Sequence, residues 1–339
     1  MDVIQLTRRL IDIPSVTGGE GAVADFTADW LRAAGFGVIR QEVEPSRANV
    51  FATAGGPVDV VLCSHLDTVP NPFPKSEDDT YIRGRGACDA KGPVAAMMAA
   101  GRALRAGGFH RFGLLFVVGE ETDSCGAKAA VSLNPGSRFI VIGEPTGNKL
   151  ALGHKGVLSL RLKTKGRAAH SAFPHLGESA INRLLDVLGD IRAVEWPVDP
   201  VLGSSTVNIG RIEGGTADNV IAPDAWATVM IRCAVPVQTV RDLVVRAVAG
   251  RANAEILLET SPVHFSRRPG YETTILPFGS DAPYLEGFGE QFMLGPGNPE
   301  DAHTEGEKVE KRALEDAVDL YRKLVRELAE EPGVKKAGR

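Results

Sequence analysis

The chain has 339 residues, 43% of them apolar and 24% charged, which is enough for two domains and a sizeable core. Its net charge of -5, with Lys and Arg dispersed along the chain, excludes a nucleic-acid-binding surface. No stretch approaches the ~18 uninterrupted apolar residues of a membrane span, the N-terminus lacks the apolar centre of a signal peptide, and Cys63, Cys88, Cys125 and Cys233 lie far apart without a CxxC, so the expectation is a cytoplasmic protein with reduced thiols and no membrane partner.

Periodicity predicts helices at 2–12 and 20–34, the second with Val23, Phe26 and Trp30 at helical spacing. Apolar strand runs follow at 36–42, 49–54 and 58–64, then a helix at 90–106, a strand at 112–118, a short helix and a strand at 138–143. Such alternation predicts an α/β sheet with helices on both faces, in which ligand groups gather at strand ends. From about 154 to 265 the order becomes strand 156–165, helix 177–193, strands 205–212 and 225–234, helix 237–250 and strand 254–260. That β-α-β-β-α-β order is the ferredoxin-like split unit, read as a small domain (154–265) inserted into a first one (1–153 and 266–339). A Pro- and Gly-rich stretch, 266–306, leads to a charged amphipathic helix near 307–330, and the tail 331–339 is expected to fray.

Several polar residues fall just past those strands. His65 and Asp67 lie two apart at a strand end and leave an extended chain on the same side; an imidazole that binds a metal usually gives its other N–H to a carboxylate. Asp89, in the glycine-containing Gly84 to Gly92 segment, either caps the following helix or bridges two metal ions. Glu120 and Glu121 follow an apolar strand and point opposite ways on extended chain, so one can bind metal while the other faces a bound water. Glu144, in Gly143-Glu144-Pro145, can serve as a terminal carboxylate ligand, and His303 is the one histidine in the last part of the chain. Together these side chains are the ligands, base and orienting carboxylate that a two-metal hydrolase needs. The cysteines near them are expected to be small buried side chains.

These segments, with Ser64-His65-Leu66-Asp67-Thr68-Val69-Pro70, Gly119-Glu120-Glu121-Thr122, Ala169-His170-Ser171-Ala172 and Ala302-His303-Thr304, make the chain resemble the M20 family of zinc aminoacylases and exopeptidases over nearly its whole length. Within that family it is most similar to the branch of acetylornithine deacetylase, succinyl-diaminopimelate desuccinylase and the carrier-protein lysine/ornithine hydrolases, which a Glu at the Gly-Glu-Pro position suits. The resemblance implies a zinc-peptidase-like catalytic domain with an inserted ferredoxin-like dimerisation domain. It implies two Zn2+, with Co2+ or Mn2+ as substitutes: one held by His65, Asp89 and Glu144, the other by Asp89, Glu121 and His303. Asp67 would support His65, Glu120 would be the general base, and His170 of the partner subunit in a homodimer would stabilise the oxyanion. Asn219, Arg232 and, in Gly279-Ser280-Asp281, Ser280 match substrate-binding positions.

The function so implied is removal of an N-acyl group from an amino acid in arginine or lysine biosynthesis, the substrate being free or presented on a carrier protein. The alternative keeps the chemistry and cleaves dipeptides or tripeptides. A non-catalytic binding protein on the same fold would have lost a ligand or the base, and neither is lost here.

Overall fold

Three apolar runs and one half-polar strand set the frame. In the computed structural model, which describes residues 1–331, Phe112–Val117, Val60–His65, Phe139–Ile142 and Glu290–Met293 lie side by side as parallel strands. Arg47–Thr53 pairs antiparallel with Phe112–Val117 and Gly37–Glu44 antiparallel with Arg47–Thr53, giving a six-stranded mixed sheet. Val60–His65 and Phe112–Val117 are buried at every position, the signature of strands covered on both faces. Cys63 is level with Leu115 and Ile142, and His65 with Val117. This shared register brings His65, the Gly119-Glu120-Glu121 turn and Gly143-Glu144 out at the same end of the sheet.

Period-two alternation divides the core. Val50, Ala52, Val60, Leu62, Leu114, Phe116 and Val141 pack with the helices Val3–Ile11, Gly21–Ala33, Lys91–Ala106 and Lys311–Glu330 in one apolar cluster. Phe51, Val61, Cys63, Leu115 and Ile140 are buried on the opposite face, where the short helix Cys125–Ala130 touches the sheet. The expected coverage of both faces is therefore uneven, with the long helices gathered on one side. Tyr321, fully buried in the closing helix, donates its hydroxyl to Leu294 O (2.7 Å) and pins that helix to the end of the Glu290–Met293 strand.

The chain divides into two compact units: Met1–Leu152 with Phe265–Thr274 and Ser280–Arg339, and Gly153–His264 with Ile275–Gly279. The second unit holds an antiparallel sheet in the order Thr206–Gly214, Asp224–Cys233, Gly156–Lys165, Asn253–Thr260. Helices Ala180–Arg192 and Val237–Val248 bury Leu184, Val187, Ile191, Val240 and Val244 against Leu158, Leu160, Leu162, Ala227, Val229 and Ile231 on one face of it. The element order is β-α-β-β-α-β.

Some details depart from the sequence reading. The stretch 266–306 contributes the Glu290–Met293 strand, whose polar first half hides its place at the edge of the main sheet. Leu150–His154 is also a strand. The closing helix starts at Lys311, because Lys308–Glu310 is held extended by pairing with Tyr81–Arg83. The expected fraying of the tail lies, from residue 332, outside the described residues.

A buried ion pair ties the loop before Gly21–Ala33 to this frame. Arg47 grips the buried Glu20 through two hydrogen bonds (2.7 and 2.8 Å), and Glu20 also accepts the Gly18 N–H (3.0 Å). Glu20→Ala removes both of these hydrogen bonds and the Gly18 contact and leaves Arg47 only the half-exposed Glu44 (2.5 Å), so it should lower stability by about 2 kcal/mol in urea-unfolding measurements.

Candidate metal centre

His65, the last residue of its strand, is buried and points its Nε2 at Asp89 Oδ1 (3.0 Å). Its Nδ1 lies 3.0 Å from the Asp67 carbonyl and 3.4 Å from Asp67 Oδ1. The buried Asp67 carboxylate accepts far more than that imidazole. Oδ1 takes the Glu120 N–H (3.1 Å), and Oδ2 takes the Glu121 N–H (3.1 Å) and the Thr17 hydroxyl (2.8 Å). Asp67 therefore fixes the main chain of the Glu pair as well as the His65 ring. Gly119 makes the turn before that pair with φ +79, where a Cβ would sit 2.6 Å from Cys125 Sγ.

His303 Nε2 sits 3.1 Å from Asp89 Oδ2 and 3.0 Å from Glu121 Oε2. Asp89 thus faces a different histidine with each oxygen, the geometry of a bridging ligand. It is not a helix cap: the cap position of Lys91–Ala106 is Ala90, and no side chain caps there. Ligand atoms from His65, Asp89 and Glu121 all lie within 4.8 Å of one another. That group joins residues assigned above to different ions, because Glu121 approaches His65 as well as His303. Glu144 is buried past the end of Phe139–Ile142, near enough for the charges of His65 and Asp89 to act on it.

Carboxylates outnumber imidazoles here. Burial pushes the carboxyls of Glu120 and Glu144 well up and that of Glu121 up, with His65 and, for Glu121, also His303 opposing. Hydrogen bonding to Asp89 and Glu121 drives His303 up to about 10. Burial alone would lower His65, but Asp67 and Asp89 outweigh it and hold the ring well above its usual value. The pocket attracts positive charge, and its donors, imidazole nitrogen and carboxylate oxygen, suit a divalent transition ion. The residues therefore fit a metal centre. Cys63 and Cys88 stand outside the ligand group, their thiols pushed well up by burial.

The other expected site residues divide between the two units. Ser280 is buried in the first, beside the buried Asp281, whose carboxyl burial pushes up to about 6. His170, Asn219 and Arg232 belong to the second. There the Ser171 N–H donates to Asn219 O (2.9 Å), so the His170 and Asn219 loops are joined. The Ala172 N–H donates to His170 Nδ1 (3.1 Å), which leaves the proton on Nε2 and makes that nitrogen a donor. Arg232 is half-buried and has no ion pair among the described residues. Sequence reasoning missed Thr17 and Glu307. The Thr17-Gly18-Gly19 turn was the local sign of the first, and nothing local marks Glu307, which fell inside an expected helix.

The chain matches peptidase family M20/M25/M40 over residues 61–327. It is 38% identical over 338 residues to a peptidase M20 domain-containing protein of Schizosaccharomyces pombe, covering 96% of this chain and 84% of that one. It is 37% identical over 375 residues to a protein of Emericella nidulans described as a probable carboxypeptidase, covering 95% and 88%. Among solved structures, a tripeptidase of Staphylococcus aureus superposes with a TM-score of 0.81 at 21% identity, covering 97% of this chain and 98% of that one. The chain belongs to the M20 peptidase family. Enzymes of this family are typically dinuclear and metal-dependent. No helix among the described residues is long and apolar enough to cross a membrane.

The charge balance has a measurable consequence for the metal-free protein. His303 gains stability from its raised affinity for a proton; that gain is complete below its unfolded pKa of 6.5 and is lost as pH rises through about 10. The raised carboxyls act in the same direction, since they too favour the protonated fold. Thermal melts of chelator-treated protein should therefore show Tm falling between pH 6.5 and 10, with a smaller fall in His303→Gln.

Proposed function

We propose that the protein is a metal-dependent exopeptidase of carboxypeptidase type, removing a residue from the C-terminal end of a short peptide. The observation that carries this reading is the convergence of His65, Asp89, Glu121 and His303, with Glu120 on a main chain fixed by Asp67. Relatives described as carboxypeptidases and M20 peptidases favour peptide cleavage, held second in the sequence reading, over N-acyl deacylation in amino-acid biosynthesis.

In this reading His65, Asp89 and Glu144 would hold one divalent ion and Asp89, Glu121 and His303 a second, with zinc the ion the donor set suits best and cobalt or manganese as substitutes. Metal bound there would supply Lewis acidity, lowering the pKa of a water and polarising the scissile carbonyl. Glu120 accepts the proton of the attacking water and returns it to the leaving amine. In the metal-free site its burial and its carboxylate neighbours raise its proton affinity. Asp67 keeps the His65 ring and the Glu120 main chain in place through the cycle.

In this reading the second unit is an inserted ferredoxin-like domain that also dimerises the protein, and it carries His170, Asn219 and Arg232. His170 of the partner subunit would offer its Nε2–H to the carbonyl oxygen as it gains charge, with Asn219 on the loop joined to its own. Arg232, without an acidic partner among the described residues, would receive the free carboxylate that marks a C-terminal residue. Ser280 lines the site in the first unit.

Two measurements test this. Zinc-loaded protein should cleave N-blocked dipeptides that have a free carboxylate, should leave carboxyl-amidated ones intact, and should lose activity to a chelator. Faster cleavage of N-acetyl-ornithine or N-acetyl-lysine than of any peptide would restore the deacylase reading, and a requirement for a free amine would indicate a dipeptidase. Glu120→Gln should reduce kcat about 100- to 10,000-fold with metal content unchanged by elemental analysis.

A further inference from the structure

Asp89 is the hinge of the metal centre, since one oxygen faces His65 and the other His303. Yet it lies in the irregular 84–90 segment, ahead of a helix whose cap position makes no side-chain bond. Neither a sheet ladder nor a helix turn fixes its direction. What meets its main chain is Glu307. The wholly buried Glu307 carboxylate accepts the Cys88 N–H and the Asp89 N–H on Oε1, each at 3.1 Å, and the Arg85 guanidinium on Oε2 at 2.8 Å. The Glu307 carbonyl accepts the Gly84 N–H at 3.1 Å, so both its side chain and its main chain hold the same segment.

We infer that Glu307 is a positioning residue for the metal centre: it aims Asp89 between the two histidines by anchoring the main chain on which Asp89 stands. The inference rests on the reading of Asp89 as a metal ligand. Three features carry it. An ionised carboxylate is an acceptor only, and three donors from one short segment converge on it; an amide side chain offers one acceptor oxygen and must turn its own donors toward the rest. The position is electrostatically adverse, because a second buried carboxylate stands beside Asp89, and Arg85 and the two amides are what make it tolerable. And Glu307 follows His303 by four residues, so a single short stretch both delivers one ligand and orients another. Asp67 does the same for Glu120 and Glu121 from the other side of the site. The arrangement extends to Arg85, which also reaches the Asn71 carbonyl (3.3 Å) and lies over the Phe73 ring (5.4 Å).

The experiment compares wild type, Glu307→Gln and the double variant Arg85→Met/Glu307→Leu. The double variant removes the buried pair as a unit, a change that buried ion pairs often tolerate, while still leaving the Cys88 and Asp89 amides without their acceptor. Metal affinity is read by chelator competition, kcat and KM on the best peptide, and amide hydrogen exchange at Cys88 and Asp89 in metal-free protein. Glu307→Gln should bind metal about 10- to 100-fold more weakly, the scale set by partners that orient ligands, with kcat falling and KM changing less than about threefold. Both amides should exchange faster than in wild type with no metal present. The double variant should fold yet remain at least about tenfold weaker for metal. If Glu307→Gln does not fold, the double variant decides.

Wild-type metal affinity and unchanged amide exchange in Glu307→Gln would overturn the inference. So would recovery of wild-type affinity in the double variant, which would reduce Glu307 to a counter-charge for Arg85. Failure of wild type to bind any divalent metal would instead remove the metal-centre reading, and the exchange rates would still report whether Glu307 holds the segment.

Discussion

A buried carboxylate has no use for water and every use for donors, and Asp67 collects them from three separate parts of the chain. Its oxygens join the Thr17 hydroxyl, the Glu120 and Glu121 amides and the His65 ring. A full negative charge in the interior is tolerable only with such partners, and these partners belong to turns that would otherwise be free to move. The cost of burying one anion is thereby converted into the shape of the site. Glu307 repeats the device around Asp89. Between them the two carboxylates hold the main chain of the turns that carry Asp89, Glu120 and Glu121.

What lies beneath matters as much. The strands ending at His65, Val117 and Ile142 are buried through their length, and apolar up to Ser64 in the first. Close-packed interiors deform little, so a side chain at the top of such a strand inherits a fixed origin. The acidic cluster is therefore built on a rigid floor, with its freedom confined to turns that Asp67 and Glu307 restrain. Mutual repulsion among the carboxylates works against the fold and creates the demand for cations.

Much of this could be read in the residues. Central parallel strands appear as unbroken apolar runs, so their ends, and the polar residues just past them, are marked by an abrupt change of composition; His65, Glu120 and Glu144 stood out for that reason. Asp89 stayed ambiguous between cap and ligand, because that choice depends on where a helix begins to within one residue. Glu307 carries no local sign and Thr17 only that of a glycine turn, since each acts through a hydrogen bond to a segment at least 50 positions away. The Glu290–Met293 strand escaped because an edge strand needs apolar residues only where it is covered, and two of its four positions are not. The resemblance to the deacylase branch, which the Glu of Gly143-Glu144-Pro145 suits, is not supported by relatives described as carboxypeptidases and M20 peptidases.

The last strand and last helix of the first unit come from the far side of the second in sequence. A chain emerging from the ribosome must present Phe139–Ile142 as an unpaired edge until Glu290–Met293 follows, and must leave part of the apolar side of Lys91–Ala106 uncovered until Lys311–Glu330 arrives. At ~5–20 residues per second that interval is on the order of ten seconds or more. The stretch from Gly156 to Thr260 contains its own sheet and apolar interior and can be complete well before then. Synthesis thus runs in the opposite sense to assembly: the segment begun first is finished last, and during the wait its sticky surfaces are natural clients for chaperones.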